Sequence, residues 1–403
     1  MVQTSRRSFT LGVAAAAIGG FPAIGRAETP GTSATEIKLG QCQPYSGPAS
    51  AFGNVGRAET AYFQMVNEQG GVNGRRVNLI SLDDGYSPPK TVELTRRMVE
   101  EDQVVAIFAS LGTAPNSAIA KYLNQKKVPD LFIGSGASKW GNHKEYPYCV
   151  ASLTSYRDEA RIYAKYILAQ KPNAKVAVLW QNDDLGKDYL AGLKAGLGDQ
   201  YDRMVVANAS YEVTDATVDS QAVTLKSSGA DVVLTAATPK FAAMFIRKIY
   251  DLDWKPLHFL SNVSISVSAT LRPAGVEKAV GILSAAYFKD PNDPTWKNDA
   301  GLNQYRAFMA KYMTGSDVGD AAFTVGFGWA FMMHEVLKAC GNDLSRENMM
   351  NQALSLHDLE VPVWLPGMKM NTSPTRHSPM NQLQLQRWTG ATWELFGELI
   401  EAG

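Results

Sequence analysis

VAVLWQNDDLGKDYLAGLKAGL, residues 176–197, changes its period halfway along. Val176–Leu179 is a short continuous apolar run, as in a strand covered on both faces. Asn182-Asp183-Asp184 ends it, and Leu190, Leu193 and Leu197 then recur at helical spacing. An apolar strand passed directly to an amphipathic helix is one unit of a parallel sheet. Outward from it the same unit repeats. A helix carrying Ile162, Tyr166 and Ala169 precedes it. Val205-Val206 reads as a strand, Val218, Ala222 and Leu225 as a helix, and Val232–Leu234 as a strand. Phe241, Met244, Phe245 and Ile249 make another helical stripe, before a strand at His258–Leu260.

Residues 36–133 show an independent run of the same kind. Strands are expected at Ile37–Leu39, Val77–Leu82, Val104–Ala109 and Leu131–Ile133. Between them lie a stripe of Ala58, Ala61, Tyr62, Met65 and Val66, a helix opened by Pro88-Pro89, and one around Ile119, Ala120 and Leu123. Two runs imply an α/β protein with two doubly wound parallel-sheet domains, each with a crevice at the carboxyl ends of its strands. From Gly281 the order changes. Gly281–Ala286 reads as a strand, with helices at Asn303–Met313 and Phe323–Ala339. Leu365–Met370 and Gln382–Trp388 alternate with period two, as in an antiparallel hairpin.

The first 27 residues stand apart. Arg6-Arg7, the apolar run Leu11–Ile18 and the small-residue exit Gly25-Arg26-Ala27 form the three parts of a secretory signal of twin-arginine type. The apolar run is far shorter than the ~20 residues that cross a bilayer, so the expected product begins near Glu28 and is exported to the periplasm. The 39 basic and 39 acidic residues balance, which argues against nucleic acid as a partner. Cys42, Cys149 and Cys340 are widely separated. An exported chain can pair two of them or bury all three as thiols, and the sequence does not choose.

The catalytic alternatives are weak. His143, His258, His334, His357 and His377 stand singly, without metal-ligand spacing. Gly134-Ser135-Gly136-Ala137-Ser138 lacks both the third glycine of a dinucleotide loop and the spacing of a nucleophile elbow. Asp83-Asp84 and Asp183-Asp184 follow strands, where turn and cap roles are the default. No enzyme, metal or cofactor is therefore expected.

Several segments in register carry a resemblance. They are Tyr45-Ser46-Gly47-Pro48-Ala49-Ser50-Ala51-Phe52-Gly53, Asn67-Glu68-Gln69-Gly70-Gly71-Val72-Asn73-Gly74, Leu82-Asp83-Asp84 with Ser87-Pro88 and Lys90, Ser110-Leu111-Gly112-Thr113, and Asp183-Asp184-Leu185-Gly186. On these the chain resembles the branched-chain amino-acid-binding family of ABC-transporter solute receptors, periplasmic binding proteins of type I. The resemblance implies two lobes joined by three hinge crossovers, the first over 36–154 and 285–362, the second over 155–284 and 363–403. It also implies a monomer whose closed form docks on transporter permease subunits.

By the same resemblance, Ser110, Leu111, Gly112 and Thr113 with Gly136, Ala137 and Ser138 hold a ligand carboxylate. The residues themselves agree, since small side chains at strand-to-helix turns let N–H and hydroxyl groups approach an anion. Phe52 takes the place of a pocket aromatic, and Leu185, Thr238 and Phe327 align with other pocket positions. The acidic partners that receive a ligand ammonium in the amino-acid receptors are replaced by Tyr156 and by Asn262-Val263-Ser264, from which Val263 is taken as a wall residue. An ammonium desolvated without a counter-charge costs several kcal/mol. The expected ligand is therefore an aromatic or branched apolar carboxylate without an α-amine. A branched-chain or other amino acid, a sensor of the same fold, and an exported hydrolase using Asp83, Asp84 or Asp184 are the rivals.

Overall fold

The computed structural model describes residues 1–2 and 29–402, so all but the first two residues of the expected export signal lie outside the described residues. The first sheet holds β1 (Glu36–Gln43), β2 (Arg76–Asp83), β3 (Ala106–Phe108), β4 (Asp130–Ile133) and β5 (Cys149–Ala151). Their order is β2-β1-β3-β4-β5, and every pairing is parallel. Every residue of β3, β4 and β5 is buried, which is why Val104–Ala109 and Leu131–Ile133 read as uninterrupted apolar runs. Helices α1 (Gly53–Glu68), α2 (Pro88–Glu100) and α3 (Thr113–Lys126) connect them. The late helix Ala321–Cys340 packs along α1, with Phe327 against Tyr62.

The second sheet holds β6 (Val176–Gln181), β7 (Val205–Tyr211), β8 (Val232–Ala236), β9 (Leu257–Leu260), β10 (Leu283–Ala286), β11 (Gln382–Trp388) and β12 (Trp393–Glu401). Its order is β12-β11-β10-β9-β8-β6-β7. The five strands β6–β10 are parallel and repeat the order of the first sheet; β11 and β12 add an antiparallel edge. Helices α4 (Tyr156–Gln170) and α5 (Asp184–Leu197) pack against each other over this sheet. Ser155 caps α4 by accepting from Asp158 N–H, and Asp183 caps α5 by accepting from Leu185 N–H.

The fold is thus two parallel-sheet α/β lobes, and three details differ from the sequence reading. The expected hairpin strand Leu365–Met370 is not a strand: Pro366-Gly367 turns the chain, and the partner of β11 is β12. β5 was not anticipated, because three residues are too few to show a period. β10 is bonded to β11 through Ala286, beyond the expected boundary at 284. All three cysteines are free and buried. Among the described residues no helix is long and apolar enough to cross a membrane.

Candidate functional site

In each lobe the strand order reverses between the first and third strands, β1 and β3 or β6 and β8, and the loops leaving the carboxyl ends diverge there. The two crevices face each other across one cavity of about 740 Å³, open solvent at the mouth included. The first lobe contributes Ala51 and Phe52 after β1, Tyr86 after β2, Leu111, Gly112 and Thr113 after β3, Gly134 after β4, and Leu153 after β5. The second contributes Leu185 after β6, Thr238 after β8, Asn262, Val263, Ile265 and Ser266 after β9, and Tyr287 and Phe288 after β10. Tyr156 enters at the start of α4, and Asp320, Val325 and Trp329 come from the late helix and its cap.

Backbone shape makes the first wall. Gly112 caps α3 at φ 116, where a side chain would be strained, and a Cβ there would lie 2.6 Å from the Tyr86 ring. The first N–H groups of α3, at Thr113 and Ala114, have no carbonyl within the helix to accept them, and Pro115 has none to offer. Gly136 touches Tyr156 so closely that a Cβ would lie 2.7 Å from its ring, and its carbonyl accepts the Tyr156 N–H. Tyr86, Ala109 and Phe132 hold left-handed backbone at φ 61, 49 and 54, all near the cavity ends of strands. Such non-glycine residues persist only where packing over-determines them, and they concentrate at functional sites.

Polar groups along the wall are largely paired. The Thr113 hydroxyl meets that of Ser135 at 2.8 Å. Burial pushes the Tyr156 hydroxyl up to about 12, so it stays a neutral donor. Behind the second wall, Tyr211 donates to Gln181 Oε1, while Gln181 Nε2 donates to Asp183 and reaches the Tyr86 hydroxyl across the cleft. Burial raises Asp183 to about 6.

Of the residues expected from sequence, Phe52, Leu111, Gly112, Thr113, Tyr156, Leu185, Thr238 and Val263 line this cavity. Five others do not. The Ser110 hydroxyl accepts Cys42 N–H inside the first lobe. Gly136 stands behind Tyr156, and Ala137 packs in a small core with Trp140. Ser138 donates from its N–H and hydroxyl to Asp188, at 2.6 and 2.8 Å. Phe327 faces the opposite side of its helix, among Tyr62, Tyr305 and Phe308. Trp329, two residues on, faces the cavity instead.

Sequence reading missed Tyr86, Leu153, Tyr287, Phe288 and Trp329. All but Trp329 lie within three residues of a strand end, a signal that was available. It also missed an acid: Asp320 lines the cavity, so the wall is not free of carboxylates. Its Oδ1 accepts Ala322 N–H and the Ser266 hydroxyl, and its Oδ2 accepts Asn54 Nδ2.

The lobes are closed on each other by polar contacts at both rims. Lys139 Nζ donates to Asp184 Oδ2 at 2.7 Å and to Ser117 Oγ at 2.6 Å, beside the Ser138–Asp188 pair. Ser266–Asp320 and Arg272–Asp317 clasp the other rim. The carboxylates that hydrolysis would need serve as turn or clasp groups instead: Asp83 accepts Ser46 and Gly85 N–H, Asp84 accepts Tyr86 N–H and the Thr91 hydroxyl, and Asp184 holds Lys139.

The geometry is an aromatic cleft between two lobes, bridged at its rims and without an assembled nucleophile and base among the described residues. The chain belongs to the periplasmic binding protein family, whose profile matches residues 36–392. It is 24% identical over 267 residues to "Leu/Ile/Val-binding protein homolog 7" of Brucella abortus (strain 2308), a match covering 64% of this chain and 65% of that protein. The chain thus spans about two thirds of the length of that relative. Among solved structures, a branched chain amino acid ABC transporter from Thermus thermophilus with bound valine superposes with a TM-score of 0.82 at 17% identity, covering 91% of this chain and 97% of that one. An ABC transporter solute binding protein from R. palustris in complex with benzoate superposes with a TM-score of 0.75 at 19% identity, covering 90% and 96%.

Proposed function

We propose that the chain is the periplasmic solute-binding component of an ABC importer and that it captures an aromatic or branched apolar carboxylate lacking an α-amine. The observation that carries this reading is the make-up of the cavity wall. Phe52, Tyr86, Tyr156, Tyr287, Phe288 and Trp329 surround the space, while Thr113 and the start of α3 offer neutral donors on one side. A carboxylate placed there meets hydroxyl and N–H groups and the positive end of a helix. The carboxylate an ammonium would meet on this wall is Asp320, three of whose roughly four acceptor positions are already taken.

The two solved relatives bear on the choice: one is described with valine and the other with benzoate. Both ligands carry a carboxylate and only valine an amine, so the fold admits either class and the wall must discriminate. Binding proceeds by population shift, because ligand contacts made to both lobes together exist only when they close. The closed form is the one that a permease would recognise.

Calorimetric titration with leucine, benzoate and a phenylpropenoate tests the reading. The acids should bind and leucine should not. Tight binding of leucine with none of the acids would overturn it.

A further inference from the structure

Asn262 sits where β9 hands over to the second wall, and it is only 4% exposed. Its backbone is fixed, because its N–H donates at 2.8 Å to Oε1 of Glu159, which also accepts the Tyr163 hydroxyl at the base of the lobe. Its side-chain amide is differently placed. Neither Oδ1 nor Nδ2 has a hydrogen-bond partner among the described residues. Other polar groups on the same wall differ: Thr238 is bonded to Tyr211, and Ser266 to Asp320. A buried primary amide with both ends unpaired is unfavourable unless something pairs with it.

We infer that Asn262 is a specificity-determining residue that reads a second, neutral polar group of the ligand. This rests on the carboxylate reading above and narrows it. The amide presents one acceptor and one donor, so it matches a hydroxyl, which donates and accepts, or a carboxamide. It carries no charge, so it neither draws an ammonium nor repels the ligand's own carboxylate. The substrate class becomes a hydroxy- or carboxamide-bearing apolar acid, with the carboxylate at the α3 wall and the neutral polar group at the β9 wall. A site built to bond a hydroxyl discriminates strongly against the analogue that lacks it, because its own polar atoms are then left unpaired.

The test uses matched pairs of acids differing only by hydroxyl and methyl, 4-hydroxybenzoate with 4-methylbenzoate and the corresponding phenylpropenoates. Titrations are run on the wild-type chain and on Asn262→Leu and Asn262→Asp, with folding checked by circular dichroism. The wild type should prefer the hydroxyl compound by about tenfold or more. Asn262→Leu should lose that preference while binding the methyl compound at least as well. Asn262→Asp should weaken every acid by about tenfold, through like-charge repulsion in a poorly solvated space. Equal affinity within each pair for the wild type, or a preference that survives in Asn262→Leu, would overturn the inference and leave the carboxylate reading standing. Failure of the wild type to bind any acid would overturn both.

Discussion

Asp184→Asn should weaken ligand binding without touching the ligand. Asp184 does not line the cavity, yet its Oδ2 accepts Lys139 Nζ at 2.7 Å and the Ser117 hydroxyl at 3.3 Å from the opposite lobe. The Lys139 and Asp184 side chains are 25% and 40% exposed, so solvent screens the pair and its Coulomb energy is small. An exposed pair contributes about 0.5–1 kcal/mol, and a charge-assisted bond to a partly covered hydroxyl adds about as much again. The closed form should therefore lose about 1–2 kcal/mol relative to the open one, roughly a five- to thirtyfold shift. Where the open form predominates without ligand, the apparent Kd rises by the same factor. Calorimetry at low and high ionic strength is the assay: wild-type affinity should fall with salt, and that of Asp184→Asn should fall less. A cycle with Lys139→Met isolates the pair, and the double variant should cost little more than either single one. An unchanged Kd at low salt would refute the latch. A loss of a hundredfold or more would refute it too, because Asp184 would then be touching the ligand.

Other outcomes follow from named residues. Burial raises Asp130 to about 8, Glu159 to about 7 and Asp183 to about 6. The folded chain therefore keeps protons that the unfolded chain has released, and its stability should fall as pH rises from about 4 through 8, at ~1.4 kcal/mol per pH unit for each group still titrating. Asp130→Asn should flatten that profile in denaturant melts, and a profile rising with pH would contradict it. Gly112→Ala places a Cβ against the Tyr86 ring at φ 116, so it should cost about 1–3 kcal/mol in a chemical melt and weaken the ligand as well. Phe327→Ala should cost about 3–5 kcal/mol, as for a buried aromatic, while leaving Kd within about twofold. A large affinity loss in a stably folded Phe327→Ala would return that residue to the site.

Much of the architecture was legible because the strands are buried on both faces. Val176–Leu179 and Val232–Leu234 show unbroken apolar runs for that reason, and the helices between them carry clear stripes. The C-terminal edge was harder. β12 is half exposed and has Gly397 in its middle at φ 67, so its alternation is blurred, and Leu365–Met370 imitated the pattern better. Site residues divided by the same logic. Leu111–Thr113 and Leu185, named through the family resemblance, lie in loops at strand ends, where the topology of the sheets brings residues to the crevice. Phe327 and Trp329 were not separable in advance. They lie two apart on one nearly all-apolar helix, and only its docking on α1 decides which ring enters the core and which the cavity. Asp320 was hidden for a related reason: a helix-capping aspartate looks the same in sequence whether it faces solvent or a ligand.

The interleaving of the two sheets also governs the order in which the chain can be finished. β10 is buried along its whole length and bonds to β11, which is made almost one hundred residues later. The helix Ala321–Cys340, which covers α1, likewise arrives long after the first sheet has been synthesised. During synthesis both lobes therefore wait with an open face, the first lacking a cover and the second showing an unpaired strand edge. Such edges invite pairing with other chains. Without β11 and β12, β10 would stand at the border of the second sheet, so this hairpin keeps a fully buried parallel strand from becoming an edge.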